Sequence, residues 1–292
     1  MRGAHHRRMK APNPTLKQVQ KPNLQNGLER KGGVDVRLVT PEQKAFFDEN
    51  GFLVYGPLLT AEQLETLRYW IDALASGSTP EAQRVGRRLE AEAQRGGLQD
   101  VDEKDRVWQL TGVTRHVAPI MDVARNPKLL NIVETLLGTP DLKLFSDQVL
   151  LKPPYHGSPV SWHQDSGYWT NIWPPALVSA WISLDEATLE NGCVHMVPGS
   201  HKLGVVPHER GEDSFLHVRG LDLSTAMPVV LPPGGVSFHH SCTVHGSGPN
   251  KTPNRRRGLV LSFARADSKW VGDPERKPTL PLLQGREFPG CV

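Results

Sequence analysis

The sequence predicts a mainly β fold with N-terminal helices (α+β), the helices forming a layer packed on one side of a β sandwich or barrel. Three observations lead there. Residues 40–137 hold segments of helical periodicity bounded by capping residues. From about residue 142 the chain turns to short β-rich runs separated by Gly, Pro and Asn, among them "LKLFSDQVLLK", "LVSAWISLDEA" and "GLVLSFARAD". That texture belongs to closed or double-sheet architectures rather than to alternating α/β units. No internal repeat interrupts either part, so residues 39–292 read as one domain with a β core at about 142–266.

The elements follow in order. "TPEQKAFFDENG" opens with Thr40 as N-cap and Pro41 at N1 and stops at Gly51, which is start and stop chemistry for a short helix. "FLVYGPL" reads as a strand. In "TAEQLETLRYWIDALA", Thr60 and Gln63 have capping-box spacing, and Leu64, Leu67, Ile71 and Leu74 share one face. A polar helix is expected over 80–95, and further helices over 116–124 and 127–137, the last ending at Gly138. Within the β-rich half, Asn191-Gly192 signals a hairpin between two strands.

Composition bounds the function classes. With 292 residues and 38% apolar content, the chain can bury a substantial core. No apolar run approaches a membrane span or a signal segment, which points to a cytoplasmic protein with no membrane partner. Cys193, Cys242 and Cys291 are too few and too scattered for a disulfide framework or a zinc finger. The net charge of +3 is uneven: residues 1–38 hold nine Lys and Arg against two acids, a balance of +7, leaving −4 for the rest. The tail therefore reads as a disordered basic extension, and no nucleic-acid partner is expected for the body. Nothing fixes the oligomeric state.

The chemistry is expected around "SWHQDSGYW". On a strand, residues two apart face the same side about 7 Å apart, so His163 and Asp165 can offer two ligands to one cavity. Alone, an H-x-[DE] triplet is weak, since 12 His and 31 acids supply about one by chance. A ferrous oxygenase site needs two imidazoles and one carboxylate on one face of the metal. "FHHSCTVHGSG" offers His239, His240 and His245 as the third ligand, and eleven residues past His245 stands Arg256, suited to a buried dicarboxylate.

Taken together, H-x-D, then H-G-S-G-x-N about eighty residues later, then Arg256, with "NGCVHMVPGSH" between them, resemble the phytanoyl-CoA dioxygenase family across residues 40–270. The resemblance implies a double-stranded β-helix, or cupin-like jelly roll, and an Fe(II)- and 2-oxoglutarate-dependent oxygenase. It implies His163, Asp165 and His245 as metal ligands, and Arg256, Ser247, Trp181 and Gln148 around 2-oxoglutarate. A further cosubstrate residue ahead of that strand is not placed, because the region around "DRVWQL" aligns only with gaps. The implied reaction consumes O2, releases succinate and CO2, and hydroxylates an aliphatic C–H of a small-molecule substrate, with ascorbate as an in vitro reductant. The carboxylate at Asp165 argues against a halogenase, in which that position is Gly or Ala.

Neighbouring residues have plainer readings. His239 or His240 is expected beside the metal ligands, Arg255 and Arg257 in solvent on the opposite face from Arg256, and His195, His201 and Cys242 in structural roles. Tyr168, Trp169, Asn171 and Trp173 form a candidate substrate wall. Two other classes compete with the oxygenase: a catalytically silent cupin-like binding protein, and a metal-dependent hydrolase that would leave Arg256 without a role.

Overall fold

The computed structural model describes residues 38–292, so the basic extension, apart from its last residue, lies outside them. Helix α1 (Pro41–Asn50) and strand β1 (Phe52–Tyr55) lead into α2 (Ala61–Ser76), β2 (Gly86–Leu89), α3 (Ala91–Gln94) and β3 (Val107–Thr111). Helices α4 (Ala118–Ala124) and α5 (Pro127–Leu137) precede the long strand β4 (Leu142–Lys152) and then β5 (Val160–His163). Next come α6 (Asp165–Tyr168), β6 (Ile172–Trp173), β7 (Val178–Ser183), β8 (Val194–Met196), β9 (His208–Arg210) and β10 (Leu216–Val218). The chain closes with β11 (Met227–Val229), β12 (Val236–His240), β13 (His245–Ser247), β14 (Arg256–Arg265), β15 (Lys269–Trp270) and β16 (Leu282–Gln284).

These strands form a cupin-like jelly roll. The larger sheet runs β1-β12-β7-β14-β4-β3-β2, with β16 beside β4, and the smaller one runs β11-β8-β13-β5. Both are antiparallel, and period-2 alternation divides each strand into an inner and an outer face. The outer face of the larger sheet meets the helical layer in one apolar core, where Leu67, Ile71, Leu74, Ile120 and Ile132 pack against Val149, Leu259, Leu261 and Phe263. Both caps expected from sequence form as full capping boxes, Thr40 with Gln43 and Thr60 with Gln63, each satisfying donors that a bare helix end leaves open. Inside the roll a second cluster gathers Phe52, Trp181, Val194, Met196 and Val260.

Three expectations need correction. Residues 80–95 are not one helix, because β2 interrupts them and pairs with β3; at Gly86, any side chain would collide with the Thr111 hydroxyl across the ladder. The Asn191-Gly192 turn exists, with Gly192 at φ 80° and the Asn191 side chain bonded to Thr188 N–H and Glu186 carbonyl. It is not a hairpin, since β7 and β8 on either side belong to opposite sheets. Finally, strand β5 ends at His163, and Asp165 starts a helical turn. Gln164 enforces that bend: its buried side chain donates to the carbonyls of Gly204 and Cys242 and accepts from Val206 N–H, tying the chain to two other loops.

Candidate active site

His163 and His245 sit directly opposite each other on β5 and β13. Each ring directs Nδ1 to the carbonyl two residues earlier, His163 to Ser161 at 2.7 Å and His245 to Thr243 at 2.9 Å. Matching bonds fix matching tautomers, leaving both Nε2 atoms free to face the cavity. Asp165 Oδ1 lies 3.8 Å from each Nε2, and the three donor atoms fall within 4.8 Å of one another. Two neutral imidazoles and one carboxylate so gathered fit a facial site for ferrous iron.

The electrostatics keep the donors in ligating form. Burial lowers the His245 pKa to about 3, and His163 shifts down for the same reason. Burial alone would raise Asp165, but the His239 hydrogen bond and the three surrounding imidazoles hold it below the ordinary carboxylate range. Its second oxygen is occupied: Oδ2 accepts from Ser179 Oγ at 2.9 Å and meets His239 Nε2 at 3.2 Å. Thus Oδ1 alone is presented to a metal. His239 is therefore a support for Asp165, while His240 turns away and packs on His201.

Beside the three donors opens a cavity of about 380 Å³, within the range of small-molecule sites. Ser146, Gln148 and Leu150 of β4, Trp181 of β7, Ser247 of β13 and Arg256 of β14 line it. Arg256 is 1% exposed, its guanidinium lies 5.3 Å from the Trp181 ring, and its Nε and Nη1 have no protein partner. Trp181 Nε1 is also buried without a partner. Burial lowers Arg256 to about 10, so it remains a cation at neutral pH. Buried donors without partners are costly, and a buried lone cation more so. A dicarboxylate seated here would satisfy them.

The other expected residues divide. Tyr168 and Trp169 line the cavity. Asn171 and Trp173 do not: Ile172–Trp173 pairs with Lys269–Trp270, Trp173 is 61% exposed, and Asn171 packs on Gly272. His195 faces Trp162 and His201 contacts the Asp48 carbonyl, both outside the cavity. Arg255 and Arg257 do oppose Arg256 but are not solvated. They bind acids at the helical layer, Arg255 with Asp72 and Asp105, Arg257 with Asp72 and Asp185.

Several residues were not found from sequence. Gln109 of β3 lines the cavity and donates to Gln148, and it lies in the "DRVWQL" stretch that did not align. Ser179 shares its face of β7 with Trp181, so strand alternation alone would have flagged it. Arg88, Trp108 and Phe215 at the mouth carried no local signal.

Comparison with known proteins agrees with this geometry. The profile of phytanoyl-CoA dioxygenase (PhyH) matches residues 47–258. The chain belongs to the phytanoyl-CoA dioxygenase family. It is by class an iron- and 2-oxoglutarate-dependent dioxygenase, an oxidoreductase whose family acts on small molecules. It is 34% identical over 157 residues to the "Probable alpha-ketoglutarate-dependent hypophosphite dioxygenase" of Stutzerimonas stutzeri, a match covering 51% of this chain and 54% of that protein. The peroxisomal phytanoyl-CoA dioxygenase of Mus musculus is 27% identical, with 82% of this chain and 72% of that protein covered. Among solved structures, EvdO2 from Micromonospora carbonacea var. aurantiaca, complexed with 2-oxoglutarate, superposes with a TM-score of 0.62 at 27% identity, covering 85% and 98% of the two chains. Among the described residues, no helix is long and apolar enough to cross a membrane.

Proposed function

We propose that His163, Asp165 and His245 hold Fe(II), that Arg256, Ser247, Trp181 and Gln148, joined by Gln109, seat 2-oxoglutarate, and that residues 39–292 act as one domain hydroxylating an aliphatic C–H of a small-molecule substrate. The observation that carries this reading is Arg256: a fully buried cation with two open donors, in the same cavity as two imidazoles and a carboxylate. When bound, iron and 2-oxoglutarate supply the oxidising chemistry with O2, releasing succinate and CO2. The chain's own part is placement. Arg256 pairs with the far carboxylate of the cosubstrate, and its planar fork fixes the orientation. Trp181 walls the cosubstrate and offers its indole N–H. Leu150, Val194 and Val260 exclude water from the chamber. Ser179 and His239 hold the Asp165 carboxylate so that one oxygen stays available. The three buried, unpaired cysteines suit the reducing cytoplasm.

The test is anaerobic addition of Fe(II) and 2-oxoglutarate, followed by O2. A weak visible charge-transfer band should appear, vanish in His163→Ala, and precede succinate formation. A folded protein that gives no band overturns the proposal. Iron binding without succinate across a broad substrate screen would favour a silent binding protein, and turnover without O2 a hydrolase.

A further inference from the structure

The mouth of the cavity carries two arginines that the chemistry above does not use. Arg88 stands on β2 opposite Gln109, and Arg210 ends β9; both line the chamber that holds His163 and Asp165. The Arg88 guanidinium is centred 4.4 Å from the Phe215 ring and 5.4 Å from the Trp108 ring. Arg210 is steadied by donating to the Ser214 carbonyl. Among the described residues neither makes an ion pair, unlike Arg68, Arg87, Arg255 and Arg257, all of which do. The nearby acids are largely engaged elsewhere: Glu209 pairs with Arg219, and Asp213 accepts from His217 and from Phe215 N–H, leaving exposed Glu212.

Charge balance gives these arginines meaning. A divalent metal, its Asp165 ligand, a dicarboxylate and Arg256 sum to zero, so the inner chamber is neutral once loaded. Arg88 and Arg210 then remain as uncompensated cations on the substrate side. Stacking on the Phe215 and Trp108 rings, themselves packed together, pre-orients Arg88 while leaving its edge donors free, which lowers the ordering cost of binding an anion bidentately.

We infer that Arg88 and Arg210 form an anion-recognition site, so that the substrate is a small molecule with an anionic head, carboxylate or phosphate, on an apolar body lying against Trp108, Trp169 and Phe215. The inference rests on the oxygenase reading for what happens to that body, not for the anion site itself. The head is held at the rim while the body extends toward the metal donors. Tyr168 helps shape this rim, its hydroxyl accepting from Leu216 N–H at 2.7 Å and so pinning the β9–β10 hairpin that carries Arg210.

Calorimetric titration of the anaerobic protein loaded with Fe(II) and 2-oxoglutarate tests this with three probes: 3-phenylpropanoate, 3-phenylpropyl phosphate and the neutral 3-phenylpropanamide. The anions should bind the wild type at least about tenfold more tightly than the amide. That advantage should fall severalfold in Arg88→Met, which keeps bulk against the rings without the charge, and vanish in the Arg88→Met/Arg210→Met double variant. The tighter anion identifies the head group. Equal binding of amide and anions, an anion advantage that survives the double substitution, or no binding of either anion at millimolar concentration would overturn the inference. A separate 2-oxoglutarate titration keeps the two readings apart. It should be unchanged in both variants, and a wild type that discriminates the anions without binding 2-oxoglutarate would remove the oxygenase reading and leave the anion site standing.

Discussion

Gly258 is the position where a single methyl group should disable cosubstrate binding. It lies on β14 between Ser183 and Leu150, so its backbone is held from both sides. A Cβ there would sit 2.5 Å from Trp181 Cζ2, 2.6 Å from Cε2 and 2.9 Å from Nε1. Ordinary carbon contacts are about 3.5–4.0 Å, so the indole must retreat by about 1 Å. Trp181 is buried in the inner cluster and also lines the chamber, so the ring can retreat only by giving up packing and entering the chamber, and overpacking of this kind costs about 1–3 kcal/mol. In Gly258→Ala the melting temperature should fall by about 2–10 °C. Because the displaced ring lies beside Arg256 and carries one of the open donors, a shift of about 1 Å should also weaken 2-oxoglutarate binding by about 10–100-fold. The assay is titration of the Fe(II)-loaded protein with 2-oxoglutarate, read by the charge-transfer band, beside thermal unfolding of the metal-free protein. Adding Trp181→Phe removes the crowded benzo edge and should restore stability but not affinity. Wild-type values of both quantities in Gly258→Ala would refute the reasoning.

Three further outcomes are expected. Arg256→Met should abolish detectable 2-oxoglutarate binding yet raise the stability of the unliganded protein by about 1 kcal/mol or more, since it replaces an unpaired buried cation with an apolar chain; denaturant unfolding checks the sign. His239→Ala should weaken Fe(II) binding by about 10–100-fold while leaving all three ligands in place, measurable by competition with a chelator. Burial lowers the His240 pKa to about 4, so this group stays neutral in the fold and protonates more readily when unfolded. Its contribution is present above pH 6.5 and lost as pH falls toward 4, so urea unfolding should show about 2 kcal/mol less stability at pH 5 than at pH 7, a loss reduced in His240→Asn.

Much of the fold was legible because its signals are local. Thr40 with Pro41, and Thr60 with Gln63, announce their helix starts within four residues, and the stripe from Leu64 to Leu74 lies within one helix. The candidate metal donors were named for a different reason: H-x-D alone is weak, and His163, Asp165 and His245 stood out only through their conjunction with H-G-S-G and Arg256, the pattern that resembles the family; the fold brings the three together. What stayed hidden depends on partners distant in sequence. Ser179 and His239 reach Asp165 from β7 and β12, and Gln109 meets Gln148 from β3. Arg255 and Arg257 were assigned to solvent because alternation excludes them from the inside, but alternation does not say what waits outside. Asp72 on α2 and Asp185 beyond β7 were waiting there. The strand-bound H-x-D geometry failed because Gln164 spends its side chain on three distant backbone groups and turns the chain.

The run Arg255-Arg256-Arg257 couples two tasks that evolution would otherwise adjust separately. Two of its guanidinium groups fasten the helical layer to the sheet, and the one between them faces the chamber shared with His163, Asp165 and His245. A slip of one residue along β14 would bring a clamp arginine into the chamber and strand Arg256 among the helices, so that affinity and rigidity would be lost together. Relatives exploring new substrates are therefore free to rebuild the rim, where Arg88, Arg210 and Phe215 stand on separate segments, but not this end of β14. Diversification should be concentrated at the mouth, with the floor handed down unchanged.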